Sequence, residues 1–335
     1  MNMNQKTAAL VVAASIFGSA TAADLSVTPY GKIRLTMQNT DDAELEGKEV
    51  KSNFSHFGFR GKGKLSDSLT AFYKIEWQVD SSDKSDSDNI KARDQYIGLA
   101  GGFGEVLMGR KDTPLRVAQG RVDQFNQLEG DIDLLFKGEV RADNIFQYST
   151  PEMFGGLKIK YANMSIDGTL DGDDILGDDD NDPATPDVVV GDRESTDANS
   201  IAVEWSSDHW FFAYAQDKDV SAEGSKTKRF STQYKWGNWT LGAIYNNHDY
   251  PADSVNGLEA YNEEGYLVSA AYTTGDHTLK FQTGESDDLD KRDLSSVGWN
   301  IALSKQTDVH FFYTVSDDMN NNEYSWYGFG IDQSF

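Results

Sequence analysis

The chain has 335 residues, with 55 acidic against 30 basic side chains and no cysteine. A formal charge of −25 argues against nucleic acid or acidic lipid as a partner, and the lack of cysteine removes any disulfide framework or thiolate metal site. The mean hydropathy is that of a soluble protein, but alternating strands hide membrane character from an average.

The first residues have the layout of a secretory signal: Lys6, an apolar core from Ala8 to Gly18, and Ala20-Thr-Ala22 as an A-x-A site. Cleavage is expected after Ala22, which leaves 23–335 as the mature chain. The apolar core falls short of the roughly 20 residues a membrane helix needs, and no later segment approaches that length. Any membrane crossing is therefore made by strands.

The first mature strand puts Leu25, Val27, Pro29, Gly31, Ile33, Leu35 and Met37 on one face and Ser26, Thr28, Tyr30, Lys32, Arg34, Thr36 and Gln38 on the other. Similar alternation recurs at Leu69 to Val79, Leu157 to Tyr161, Ile201 to Trp205, Trp210 to Tyr214, Phe230 to Trp236, Trp239 to Tyr245, Val297 to Leu303 and Val309 to Val315. It ends in Tyr327, Phe329, Ile331 and Phe335. Such segments number about sixteen. Short turns, such as Gly101 to Gly104 and Thr274 to His277, take turns with long acidic loops, 39–52, 80–91, 164–199, 217–228, 247–264, 285–294 and 316–323. Trp205, Trp210, Trp236 and Trp239 bracket short turns on the apolar parity, as indoles do at a membrane boundary. The fold class these features predict is all-β: a transmembrane antiparallel β-barrel of about 16 strands.

One long connection differs. Residues 111–140 carry Val117, Phe125, Leu128, Ile132 and Leu134-Leu135-Phe136, so this loop is expected to pack inward against the barrel wall and narrow the lumen at mid-height. A loop buried at a subunit contact or over the barrel mouth is the alternative. Folded inward, it brings Asp123, Glu129, Asp131 and Asp133 to the lumen. The opposite wall offers Lys32, Arg34, His56, Arg60, Lys62 and Lys74, with Arg93, Arg110 and Arg141 near further strands. Acids facing bases make a transverse field across a narrow passage.

Other chemistry is weakly supported. Gly58 to Lys64 satisfies G-x-x-x-x-G-K, but Leu65 replaces the hydroxyl residue and no helix follows. His56, His209, His248, His277 and His310 show no paired metal spacing. His310 near serines gives no triad spacing, so no catalytic residues are assigned. The loop from Asp167 to Asp197 is strongly acidic, and Asp178, Asp180 and Asp182 begin an EF-hand spacing. Pro183 and Val189 break it, which leaves these three as weak divalent-cation candidates.

Tyr30-Gly-Lys-Ile33, Phe57-Gly-Phe-Arg-Gly61, Tyr96-Ile-Gly-Leu99, Phe103-Gly-Glu-Val-Leu-Met-Gly-Arg110, Tyr148-Ser-Thr-Pro151 and the terminal Phe335 together resemble the Gram-negative general diffusion porins, over essentially the whole mature length. The resemblance implies a sixteen-stranded outer-membrane barrel, a homotrimer set among lipopolysaccharide and phospholipid. Its third long loop is the constriction. The barrel passes ions and small hydrophilic solutes without any cofactor. Lys32, Arg93 and Arg141 match basic constriction positions and Glu129 and Asp131 acidic ones. His56 stands where arginine is common, and Gln127-Leu-Glu-Gly-Asp131 replaces the enteric Pro-Glu-Phe-Gly-Gly. The excess of acid predicts a preference for cations. Alternatives are a substrate-selective porin, or an adhesin or phage receptor built on the same barrel.

Overall fold

Every second residue of Tyr327, Phe329 and Ile331 is large and apolar with glycine or aspartate between, and the same rule shapes each strand of the barrel. The computed structural model describes residues 25–41, 46–82, 89–166, 196–251, 260–287, 292–317 and 322–335. The expected signal segment and Asp178, Asp180 and Asp182 lie outside the described residues.

In chain order the strands are β1 (Thr28–Asp41), β2 (Glu46–Ser52), β3 (His56–Ser66), β4 (Leu69–Val79), β5 (Ile90–Gly101), β6 (Gly104–Asp112), β7 (Arg141–Ser149), β8 (Leu157–Ile166) and β9 (Thr196–Ser206). They continue as β10 (Trp210–Lys218), β11 (Lys226–Trp236), β12 (Trp239–Tyr250), β13 (Tyr261–Thr274), β14 (His277–Ser286), β15 (Arg292–Ala302), β16 (Thr307–Asp317) and β17 (Glu323–Ser334). Each pairs antiparallel with its chain neighbours, save that β2 pairs with β1 and not with β3. β2 and β3 share one place beside β1, facing Leu35–Asp41 and Thr28–Lys32 respectively, so seventeen strands make sixteen staves. Phe54, at φ 55°, turns the corner between those halves.

The ring closes where β1 meets β17, from Lys32 opposite Ser334 to Asp41 opposite Ser325. Gly31 and Phe335 exchange backbone hydrogen bonds of 3.1 and 3.0 Å, so the terminal aromatic residue belongs to the wall. Closure gives each stave a hydrogen-bonded neighbour on both sides, which is what a strand in hydrocarbon requires, while β2 is laddered on its β1 side.

The large apolar side chains face outward and are exposed, among them Ile33, Met37, Phe59, Ile97, Met108, Phe146, Phe281 and Phe329. A surface of that kind is stable against lipid and not in water. Trp210, Trp236 and Trp239 stand exposed beside their short turns, and Trp205 stacks on Phe212 at 6.0 Å. Three expected loops are shorter than their polar sequences imply. β2 fills much of 39–52, and β10 to β13 extend into 217–228 and 247–264. These strand ends are polar on both faces, so alternation could not mark them.

Candidate functional site

The chain leaves β6 with Thr113 as the cap of a single helical turn, α1 (Pro114–Val117), and returns to the wall at Arg141. Between these points the loop is pressed against the inside of the barrel. Leu115 and Ala118 pack on Ala202, Ala213 and Ala215 of β9 and β10. Val122, Ile132, Leu135 and Phe136 pack on Ile244, Leu267 and Leu294 of β12, β13 and β15, and Phe125 packs on Phe312 and Trp326 of β16 and β17.

Between these large side chains, four inward wall positions that receive the loop have no bulk. A Cβ on Gly242 would lie 2.8 Å from Val122, on Gly265 2.6 Å from Phe136, on Gly284 2.8 Å from Leu135, and on Gly298 3.0 Å from Phe125. Each glycine is a notch for one loop side chain. Polar contacts follow the same track. Leu115 N donates to Ser200 (3.1 Å), Gln233 to the Arg121 carbonyl (3.0 Å), Lys280 to the Gln124 carbonyl (2.6 Å) and Gln282 to the Gly130 carbonyl (2.8 Å). At the tip, Arg34 donates to Gln127 (3.4 Å), and Glu129 accepts from Gln38 (2.6 Å) and pairs with Lys51 (3.0 Å). The loop thus lines the wall from β9 round to β1 and β2, and the free passage lies between it and β3 to β6.

On that free wall, Glu76 accepts from the Tyr30 hydroxyl (2.8 Å) and pairs with Lys74 (3.0 Å) and Arg93 (2.8 Å). Asp94 pairs with Lys74 (2.9 Å) and Arg141 (3.2 Å), and Asp112 with Arg141 (2.9 Å) and Arg116 (3.6 Å). Arg116 passes the chain on to Glu139 (3.4 Å), which also pairs with the fully buried Arg229. One alternating string of charges therefore runs from the free wall through the loop root to β11. At the seam, Lys32 and Arg34 pair with Asp332 at 2.6 and 2.9 Å. Arg60 lies over the Tyr30 ring at 5.0 Å, and His56 Nδ1 donates to the Phe54 carbonyl at 2.9 Å.

Several expected site residues are placed differently from their sequence assignment. Arg110 pairs in register with Gln95, which sits opposite outward Ile75, so Arg110 lies on the outer face and bonds exposed Asp143 at 2.5 Å. Arg110 follows exposed Met108 by two residues in an unshifted β5 to β6 register, so plain alternation gives the same face. Asp123 and Asp131 do not face open lumen. They are 9% and 8% exposed and turn back onto their own loop, Asp123 accepting from Phe125 N (2.8 Å) and Ile132 N (3.3 Å), Asp131 from Gln127 N and Asp133 N. Burial raises the pKa of both carboxyls, and neighbouring Asp133 and Asp123 push Asp131 well above the ordinary carboxylate range. Asp133 is half-buried, and Glu129 reaches the β1 wall. Wall carboxylates Glu76, Asp94, Asp112 and Asp332 were absent from the sequence reading. Their inward parity beside Lys74, Arg93 and Arg34 was the available signal. Among the described residues no group of His, Asp and Glu is arranged to hold a metal ion.

The family model for Gram-negative porins matches residues 7–322. A monosaccharide porin from Halomonas sp is 25% identical, over 86% of this chain and 87% of that one, and the major outer membrane protein of Halomonas elongata gives the same values. Among solved structures, the anion-selective porin from Comamonas acidovorans superposes with a TM-score of 0.68 at 17% identity, covering 93% of this chain and 100% of that one. OmpF of Salmonella typhi, in complex with daunomycin, gives 0.69 at 14%, covering 92% and 97%. These structural likenesses concern the barrel alone. With the family match running along nearly the whole length that forms it, the chain belongs to the Gram-negative porins, channel-forming β-barrels of the outer membrane.

Proposed function

We propose that this porin is a passive diffusion channel for ions and small hydrophilic solutes, with loop 111–140 as its sieve. The observation that carries this reading is the loop's continuous seat on the inner wall from β9 to β2, which leaves a single passage bordered by paired charges. Nothing in that passage needs to move for a solute to cross. Its wall dipoles favour polar solutes and reject apolar ones. Within this proposal 23–335 is the mature barrel. The assembly is a homotrimer, supported by OmpT of Vibrio cholerae, solved in a trimer form, which shares the fold at a TM-score of 0.60 and 13% identity.

The preference for cations belongs to the same proposal, and its support is the formal charge of −25. The constriction contributes little to it. Lys32, Arg34, Lys74, Arg93 and Arg141 are matched by carboxylates on their own wall, and Asp123 and Asp131 are held toward their protonated forms. The bias then originates in the acidic mouth, acts at long range and is modest.

Reconstitution into liposomes tests the channel. Swelling in isotonic sugars should fall steeply with solute size and rise linearly with concentration. Impermeable liposomes would refute the proposal. Saturable flux of one sugar would establish a substrate-selective porin, the class to which a monosaccharide porin belongs.

A further inference from the structure

A cavity of about 560 Å³ opens between loop residues 119–126 and the short-turn ends of β14, β15 and β16. It lies on the side of the loop away from the long connections, where a solute arrives once it has passed the constriction. Its wall includes Arg121, Gln124, Lys280, Asn300, Asp276 and Asp308. The volume falls within the range of small-molecule sites.

The charges here are arranged unlike those of the free wall. There Lys74, Arg93 and Arg141 each have a carboxylate in contact. Here Arg121, Lys280, Asp276 and Asp308 form no ion pair among the described residues. Lys280 Nζ donates to the neutral Gln124 carbonyl and lies 4.6 Å over the Phe125 ring, which fixes the ammonium in place without neutralising it. Asn300 Oδ1 is buried in the same wall without a hydrogen-bond partner. Asp123, the remaining carboxyl on the cavity, is occupied by its own loop's N–H groups. The cavity therefore presents two cations and two carboxylates.

A simple anion would satisfy the cations and leave the carboxylates facing it, whereas a sugar would meet both kinds of charge only with neutral hydroxyl groups, which form weaker hydrogen bonds than an ion of the opposite sign. A molecule with both charges a few bonds apart answers all of them. We infer that this cavity is a transient binding subsite for small zwitterions of the free α-amino acid class, with the solute carboxylate toward Arg121 and Lys280 and its ammonium toward Asp308 and Asp276. The inference rests on the channel reading, since the constriction is the route to the cavity. Held loosely, such a solute is concentrated at the exit without being retained.

Saturation-transfer NMR on the detergent-solubilised full chain, with L-alanine, D-glucose and sodium acetate as probes, tests it. L-alanine should bind at least about tenfold more tightly than the other two, and Arg121→Gln and Asp308→Asn should each weaken it about tenfold, the scale of one charge-assisted hydrogen bond. Arg121 is exposed on the loop and Asp308 sits at the end of β16, so both variants are expected to keep the heat-shifted gel mobility of a folded barrel. Glucose or acetate binding as tightly as alanine, or an alanine affinity unchanged in both variants, would overturn the subsite. Bilayer conductance of the same samples separates the two readings. A conducting protein without alanine binding loses the subsite alone, and a non-conducting one loses the channel.

Discussion

Asp123 and Asp131 show how a loop inside a barrel spends its carboxyl groups. Both accept backbone N–H groups of their own segment, so each acts as a staple, and burial makes the charged form of each unfavourable. The direction fixes the pH response. A carboxyl whose pKa is raised in the folded loop binds its proton more tightly there than in the released loop. Its stabilisation is complete below about pH 4 and is lost as pH rises through the raised value. Hydrogen-exchange protection of residues 122–136 should therefore increase as pH is lowered from 7 toward 5, and Asp131→Asn should flatten that dependence. An unchanged slope in the variant would mean that Asp131 is not the group responsible. Arg229 makes the complementary case. It is fully buried against Glu139, and Arg229→Met leaves that carboxylate to Arg116 alone. Breaking a buried pair costs about 3–5 kcal/mol, which should appear as a lower midpoint for the heat-induced shift in gel mobility.

Loop 111–140 is held chiefly by apolar side chains set into wall notches. Phe125 is fully buried between Phe312, Trp326 and Gly298. Phe125→Ala removes roughly 3–5 kcal/mol of packing from the part of the loop nearest the seam. Single-channel recordings should show a larger, noisier conductance while the barrel stays folded. An unchanged conductance would show that this part of the loop does not border the passage. Gly242→Val should act similarly by displacing Val122. The loop's inward course was legible because Leu134-Leu135-Phe136 has no place in water, and the outward row of each strand was legible from its period of two. The pairing of the wall was not. Lys74 meets Asp94, twenty residues away, only through the β4 to β5 register, which a bulge shifts between Ile75 and Trp77. Arg110, by contrast, shares the parity of outward Met108, so alternation alone places it on the outer face. Glycines 242, 265, 284 and 298 carried a readable signal, an inward face lacking side chains, whose meaning emerges only once the loop lies against it.

At the scale of the whole molecule, the proposed cation preference rests on the acidic sequence of the long connections outside a charge-compensated throat, so selectivity is expected to depend on salt. The field of the mouth decays over about 10 Å at 0.1 M salt and about 3 Å at 1 M. Zero-current potentials in KCl gradients should favour K⁺ at tens of millimolar and approach neutrality near 1 M. Anion selectivity at low salt would refute the assignment. Lys32→Gln, which removes one partner of Asp332 but leaves Arg34, should change this ratio by less than about twofold, because the throat is already balanced.

The meeting of β1 with β17 also has a kinetic consequence. Arg34 and Asp332 bond across 298 residues of intervening sequence, whereas every other stave meets a partner close to it along the polypeptide. Hairpins can zip in succession, but the cylinder stays an open sheet with two unsatisfied borders until its first and final strands find each other. That encounter is expected to limit the rate of assembly, and substitutions at Gly31 or Phe335 should slow insertion into vesicles more than they lower the stability of the finished barrel.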